Sequence, residues 1–243
     1  MFLIFREIHQ AFPESIPLTP EEFRHARARR LRPGDSVFVG DGRGRRLEYT
    51  LGATGDQLTA QSAGANAPVI FGSEPRVELW TAVPEGKRWD WLLQKATELG
   101  ATVIQPIVTQ HSEARKIKRD REEKIILEAA VQSRRFFLPE LREPVALAKA
   151  FDERNQAAPS RAATLDPRGD GTLFDFFRTD DVAIAEGPVQ IFVGPEGGFS
   201  EAELRELTAA GIELATLGTP ILRVETAAVA ALAIFTAWSA GQR

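Results

Sequence analysis

The chain has 243 residues, 43% of them hydrophobic and 26% charged, with a net charge of −4. This is a globular composition, long enough for one large or two small domains, and its mild acidity argues against a wholly basic nucleic-acid binder. The absence of cysteine excludes disulfides and thiolate metal sites, and the histidines at 9, 25 and 111 lack ligand spacing, so no metal is expected.

No apolar run reaches membrane-spanning length, and the start is too short and wrongly flanked for a signal peptide; the absence of cysteine suits a cytoplasmic protein. Residues 2–5 are strand-sized. Thr19-Pro20-Glu21-Glu22 combines an N-cap, a proline at the first helical position and an acidic first turn, so a helix is expected to about Arg30. Arg32-Pro33-Gly34-Asp35 is a turn, and 36–39, 46–51 and 57–62 read as strands between Gly and Asp turns. The Asp41-Gly42-Arg43-Gly44 hairpin turn would present Arg43, Arg45 and Arg46. With Arg24, Arg27, Arg29, Arg30 and Arg32 they form two basic patches, suited to phosphate or else a solvated face. Residues 1–72 hold nine Arg and no Lys against eight Asp plus Glu, a balance of +1, which leaves −5 for the remainder. The Gly-, Ala-, Pro- and Ser-bearing tract 63–75 marks a domain boundary near 72, giving domains 1–72 and 73–243.

The second domain opens with a strand at 77–83. In 87–100 the apolar positions 92, 93, 96 and 99 follow helical spacing, and Gly100 ends the helix. A buried strand follows at 103–108, then a long helix from 118 to about 137. A third strand at 162–166 exits through Asp166-Pro167-Arg168-Gly169, and 170–186 reads as helix and loop.

Two late segments carry most of the chemistry. In the first, the buried strand 190–193 runs into Gly194-Pro195-Glu196-Gly197-Gly198-Phe199-Ser200, and Ser200 with Glu203 makes a capping box for a helix through Ala210, closed by Gly211. In the second, strand 213–217 turns at Gly218 and Pro220, and Arg223 and Glu225 flank the start of an apolar helix, 226–240. Strand, glycine loop and helix N-terminus in that order are a common ligand site in α/β proteins. Two such exits from one sheet would form one pocket. The loops match neither a P-loop nor G-x-G-x-x-G, which weakens nucleoside-triphosphate and dinucleotide readings. A helix apolar on every face must be buried on every face, which at 226–240 points to a subunit interface.

Val193-Gly194-Pro195-Glu196-Gly197-Gly198-Phe199-Ser200 and Leu217-Gly218-Thr219-Pro220-Ile221-Leu222-Arg223-Val224-Glu225-Thr226 together resemble the cofactor loops of the SPOUT class of S-adenosylmethionine-dependent RNA methyltransferases. The nearer resemblance is to the family that methylates N3 of a uridine in small-subunit (16S) ribosomal RNA. Lys87, Gln94, Lys95 and Glu98 match its K…QK…E helix. His25, the run 30–35 and the Asp41-Gly42-x-Gly44 turn resemble its PUA-like domain. The resemblance implies a C-terminal SPOUT-type parallel-sheet domain with a trefoil knot, an N-terminal β-rich PUA-like domain and a homodimer. It implies S-adenosyl-L-methionine held by Leu165, Gly194, Glu196, Gly197, Gly198, Leu217, Gly218, Ile221, Leu222, Thr226 and Ala227. It also implies ribosomal RNA, free or in the small subunit, held by Arg24, His25, Arg29, Arg30, Arg32, Arg43, Lys87, Lys95, Gln132 and Arg135.

N3 of uracil carries a proton and is a poor nucleophile, so the site must help remove it and stabilise charge spread toward O2 and O4. A guanidinium suits the second task, and Arg223 is expected to supply it. Glu225 would orient that arginine or accept a proton, or else is a carboxylate at a helix N-terminus. The chain departs from the family at Arg134 (for Gly), Phe136 (for Asn), Pro220 and Val224, which touches the substrate side more than the cofactor glycines. Alternatives are a methyltransferase for another RNA site and a non-catalytic RNA-binding protein.

Overall fold

The computed structural model describes residues 2–60, 69–70, 76–112, 116–150, 161–178 and 187–241. They fall into two units, Met1–Glu74 with Ala130–Leu138, and Pro75–Ala129 with Pro139–Arg243. Of the boundary tract read at 63–75, only 69 and 70 lie within the described residues.

The first unit holds β1 (Phe2–Phe5), β2 (Ser15–Pro17), α1 (Pro20–Ala28), β3 (Ser36–Gly40), β4 (Arg45–Leu51), β5 (Gln57–Ala60) and β6 (Val69–Ile70). Its sheet runs β1-β3-β4-β5-β2, with β6 also on β4. β1 lies parallel to β3, and the remaining pairs are antiparallel. Alternation in β4 buries Leu47, Tyr49 and Leu51 on one face, where they meet Val37, Val39 and Leu58. The expected start of α1 is present: Glu22 N–H donates to Thr19 Oγ1 at 3.2 Å, and Thr19 N–H donates to Glu22 Oε2 at 2.8 Å. The helix ends at Ala28 because Arg30 takes a left-handed φ of +58° and Leu31 N–H turns back to Ala26 O.

The same unit takes in 136–138, which lies along the 42–44 turn. Gly44 N–H donates to Phe136 O at 3.1 Å and Leu138 N–H to Gly42 O at 2.9 Å. Gly44 is required there twice over. Its φ is +92°, and a Cβ would sit 2.2 Å from the Phe137 ring.

The second unit holds β7 (Val77–Ala82), α2 (Lys87–Glu98), β8 (Val103–Val108), α3 (Arg119–Ser133), β9 (Glu140–Leu141), β10 (Val145–Ala146), β11 (Ala162–Leu165), β12 (Gly171–Thr172), α4 (Leu173–Arg178), β13 (Val189–Val193), α5 (Glu201–Ala209), β14 (Glu213–Thr216) and α6 (Val224–Ala240); the last four residues of α3 group with the first unit. All its strand pairs are parallel, in the order β10-β8-β7-β13-β11-β14-β12 with β9 also on β8. Every residue of β7 and β13 is buried, as a parallel sheet covered on both faces requires. Trp80 and Phe192 stack across these strands, ring centroids 5.3 Å apart.

Two helix bounds differ from the sequence expectation. α3 stops at Ser133 rather than near 137, because Arg134 adopts φ +58° and Arg135 N–H turns back to Ala130 O at 3.0 Å. α6 begins at Val224 rather than Thr226, which makes Arg223 its N-cap in extended conformation. Nor is α6 buried all round: Thr226, Ala233, Ala237 and Ala240 are exposed in the single chain. The strands β2, β6, β9, β10 and β12, of two or three residues each, carry no periodicity and were not expected.

Candidate active site

Three neighbouring strands end at one level. Leu165 of β11 pairs with Val193 of β13 on one side and Ala215 of β14 on the other. Their exits, 166–168, 194–199 and 217–222, therefore rise side by side from the carboxyl edge of the sheet, where open α/β sheets hold ligands. Between them lies a cavity of about 310 Å³. Leu165, Gly194, Glu196, Gly197, Gly198, Leu217, Gly218, Ile221, Leu222 and Ala227, which the family resemblance implies as cofactor contacts, all line it.

Each loop is held by identifiable contacts. Gly198 has φ +71°, and nothing lies within 4 Å of where its Cβ would stand, so backbone faces open space there. A Cβ on Gly194 would approach the buried Phe199 ring to 3.0 Å. His111 Nδ1 meets Gly198 O at 3.0 Å, and Gln110 N–H donates to Glu203 Oε1 at 2.7 Å. The expected capping box is formed, with Ser200 N–H donating to Glu203 Oε2 at 2.8 Å and Glu203 N–H to Ser200 Oγ at 3.3 Å. Arg88 of α2 reaches Glu196 at 3.3 Å. In the second loop Gly218 has φ +108°, and its N–H donates to Thr216 Oγ1 at 3.1 Å.

The third wall is the 166–168 exit, expected from the sequence at the same pocket, and it is tied down by a residue pair that sequence motifs did not single out. Asp166 is buried and accepts from Arg168 Nε at 2.7 Å, Nη2 at 2.9 Å and N–H at 3.0 Å. Arg168 also donates to Glu201 and to Phe199 O. One guanidinium thus links the β11 exit, the glycine loop and the start of α5. Burial pushes the Asp166 carboxyl up, but the Arg168 hydrogen bonds and charge outweigh it and hold it below the ordinary range. The signal was a carboxylate and an arginine two apart at a strand exit, which is too common to stand out alone.

Other expected residues fall elsewhere. Thr226 is exposed and off the cavity wall. Arg223 is exposed between the wall residues Leu222 and Val224, with no side-chain capping bond. Glu225 is buried, does not line the cavity, and its Oε2 has no hydrogen-bond partner among the described residues. Lys87 is exposed at the start of α2, while Lys95 is held by Glu98 at 2.9 Å.

In the first unit Arg24, His25, Arg29, Arg30, Arg32 and Arg43 are exposed. Arg45 and Arg46, which the hairpin was expected to present, are engaged within the fold. Arg45 donates to Asp41 Oδ2 at 2.6 Å and to the carbonyls of Ile8 and Gln10. The Arg46 guanidinium lies 4.8 Å from the Phe38 ring centre and 4.7 Å from that of Phe136. Gln132 is exposed and Arg135 half-buried. No group of three or more acidic or histidine side chains among the described residues is placed to hold a metal, and no described helix is long and apolar enough to cross a membrane.

Two family models match the chain. An RNA methyltransferase domain matches residues 72–236, and an RNA methyltransferase PUA domain matches 18–61. The fold is therefore that of an RNA methyltransferase carrying an N-terminal PUA domain. Ribosomal RNA small subunit methyltransferase E of Mycobacterium bovis is 31% identical, covering 87% of this chain and 82% of its own. The protein of that name from Synechocystis is 29% identical over 92% of this chain and 73% of its own. The structure of the Neisseria gonorrhoeae protein of that name, bound to S-adenosyl methionine, superposes with a TM-score of 0.81 at 26% identity, covering 98% of this chain and 97% of the other. The chain belongs to the ribosomal RNA small subunit methyltransferase E family.

Proposed function

We propose that the protein transfers a methyl group from S-adenosyl-L-methionine to N3 of a uridine in 16S ribosomal RNA, acting as a cytoplasmic homodimer. The observation that carries this is the convergence of three strand exits on one cavity walled mainly by backbone and apolar side chains, with Asp166, Arg168 and Glu196 at its edges. Such walls suit adenine and methionine, which need shape and backbone partners more than charge. The volume is at the small end of ligand sites, roughly 300–1,000 Å³, and the open Gly198 backbone leaves room for close approach. Bound there, the cofactor would supply an electrophilic methyl on a sulfonium centre.

The chain's own part is to hold the base and manage its charge. N3 must give up its proton before or as it attacks, so the uracil carries negative charge over O2 and O4 until the new N–C bond forms and S-adenosylhomocysteine is left as a neutral thioether. Arg223, capping α6 beside the wall with its guanidinium free of a capping bond, is the residue we assign to that charge. Glu225, buried two positions on, positions the start of α6 or holds a proton near it. The exposed small-residue stripe of α6 is the surface we assign to the second subunit, and the knot implied by the family accompanies this assignment.

Calorimetric titration with S-adenosyl-L-methionine, beside a Gly198→Trp variant, tests the pocket. Saturable binding lost in the variant is expected. No binding by folded wild type would favour a non-catalytic RNA-binding protein. Mass-spectrometric mapping of the methylated nucleotide in a 16S transcript tests the target, and a methyl on another base or on a ribose would overturn it.

A further inference from the structure

We infer that Arg134 is a phosphate-contacting residue of the RNA surface, one this chain places where its family resemblance carries glycine. This rests on the proposed RNA substrate. Arg134 follows the last residue of α3 with φ +58°, a conformation that favours glycine, and the chain closes there through Arg135 N–H to Ala130 O. α2 and α5 close in the same way on Gly100 and Gly211. An arginine at this position works against its own backbone, and local packing gives no return for it: the side chain is exposed and makes no hydrogen bond or ion pair among the described residues.

Its surroundings say what the guanidinium is for. The segment that begins at Arg134 pairs through 136–138 with the 42–44 turn, where Arg43 is also exposed and without a side-chain partner among the described residues. The charged groups of this turn and segment are Asp41, Arg43, Arg45, Arg46, Arg134 and Arg135. The single carboxylate, Asp41, already accepts from Arg45 Nε and from the Arg43 and Arg45 N–H groups. The surface is therefore strongly positive, with two free planar forks on it. Guanidinium forks match phosphate oxygens, and long flexible side chains follow an RNA backbone without reading its sequence. A cation near a helix C-terminus is also favoured by the helix dipole, which is the purely structural explanation.

The test separates the two. Binding of an in-vitro transcript of small-subunit ribosomal RNA is measured by fluorescence anisotropy across a salt series for wild type, Arg134→Gly and Arg134→Lys, beside thermal melts and cofactor titration. Arg134→Gly relieves the backbone, so it is expected to fold at least as stably and bind cofactor unchanged. Its RNA affinity should fall about three- to ten-fold, and the slope of log affinity against log salt should drop by about one contact. Arg134→Lys should restore the slope. Unchanged RNA affinity and slope in Arg134→Gly, with wild type binding normally, would overturn this inference alone. No RNA binding by folded wild type would overturn the proposed substrate with it.

Discussion

Four helix ends share one bonding pattern and divide by unit between two residue types. In the second unit α2 and α5 close on glycine, Gly100 at φ +92° and Gly211 at +73°. The helix ends grouped with the first unit close on Arg30 and Arg134, both at +58°. Left-handed backbone costs a side-chain-bearing residue about 1 kcal/mol that glycine is spared. The same contrast runs through the ligand surfaces. The cavity is lined mostly by backbone, glycine and apolar side chains, with Asp166, Arg168 and Glu196 the charged groups on its wall, whereas the first unit exposes guanidinium groups on its turns and helix ends. A compact ligand of fixed shape is best held by backbone at close range. A polyanion is met by charge carried out on long side chains, and some local stability is given up to place it.

The largest effect expected is on the chemical step. Arg223→Ala should lower methyl transfer by about 100-fold or more, the loss typical of removing one donor to developing negative charge, while cofactor affinity stays within about two-fold. Parallel loss of both would make Arg223 part of the pocket wall. Glu225→Gln sharpens the assignment, since it keeps shape and removes charge. Normal melting with a slowed rate would mark a proton-handling role; normal rate with altered melting would mark a carboxylate serving the helix start.

Next in size is Gly44→Ala. A Cβ 2.2 Å from the Phe137 ring, at φ +92°, forces that ring off the turn and strains the backbone at residue 44. A destabilisation of roughly 2–4 kcal/mol is expected, with RNA binding lost and cofactor binding kept. Equal loss of cofactor binding would show that the two units do not behave separately, and the contrast drawn above would fail.

Much of this was legible in the chain because the signals were local. Thr19 with Glu22 and Ser200 with Glu203 declared two helix starts, and the glycine loops declared the cavity wall nearly residue by residue. What was not legible depended on distant partners. Arg45 and Arg46 read as free charge, because nothing in the hairpin shows that Ile8 and Gln10 carbonyls and the Phe136 ring will engage them. The same partner bears on a family departure: Phe136, standing for asparagine, meets the Arg46 guanidinium, as Phe38 does. Arg134 kept the helix pattern running past its true end, because an arginine gives no sign of the left-handed turn a glycine would announce. Thr226 was placed on the cavity by its motif position, yet the third wall is instead fastened by Asp166 and Arg168.

That fastening gives a smaller, pH-dependent effect. The Asp166 carboxyl sits below its ordinary value in the folded protein. Its contribution is therefore complete above the unfolded carboxylate pKa, near 4, and is lost as pH falls through the lower folded value. Asp166→Asn should cost about 1–3 kcal/mol at neutral pH, weaken cofactor binding, and flatten the acid limb of melting temperature against pH. An acid limb as steep as in wild type would show that other carboxylates govern it.

The smallest effect, and the sharpest on the comparison, comes from Tyr49, the chain's sole tyrosine. It is fully buried in the first unit and donates to Pro13 O at 2.6 Å. Burial pushes its pKa up to about 12. Because the folded value is raised, its contribution is complete below the ordinary tyrosine pKa of about 10 and is lost as pH rises toward the folded value. Tyr49→Phe should cost only about 0.5–1.5 kcal/mol, one hydrogen bond. The four tryptophans, at 80, 89, 91 and 238, all lie in the second unit. An alkaline titration that follows tyrosinate absorbance and tryptophan emission together therefore reads the two units separately. Tyrosinate held back until pH nears about 12 while tryptophan emission holds steady is the expected result. A simultaneous jump in both would mean that the units unfold as one, and that backbone-built and arginine-built surfaces share a single stability.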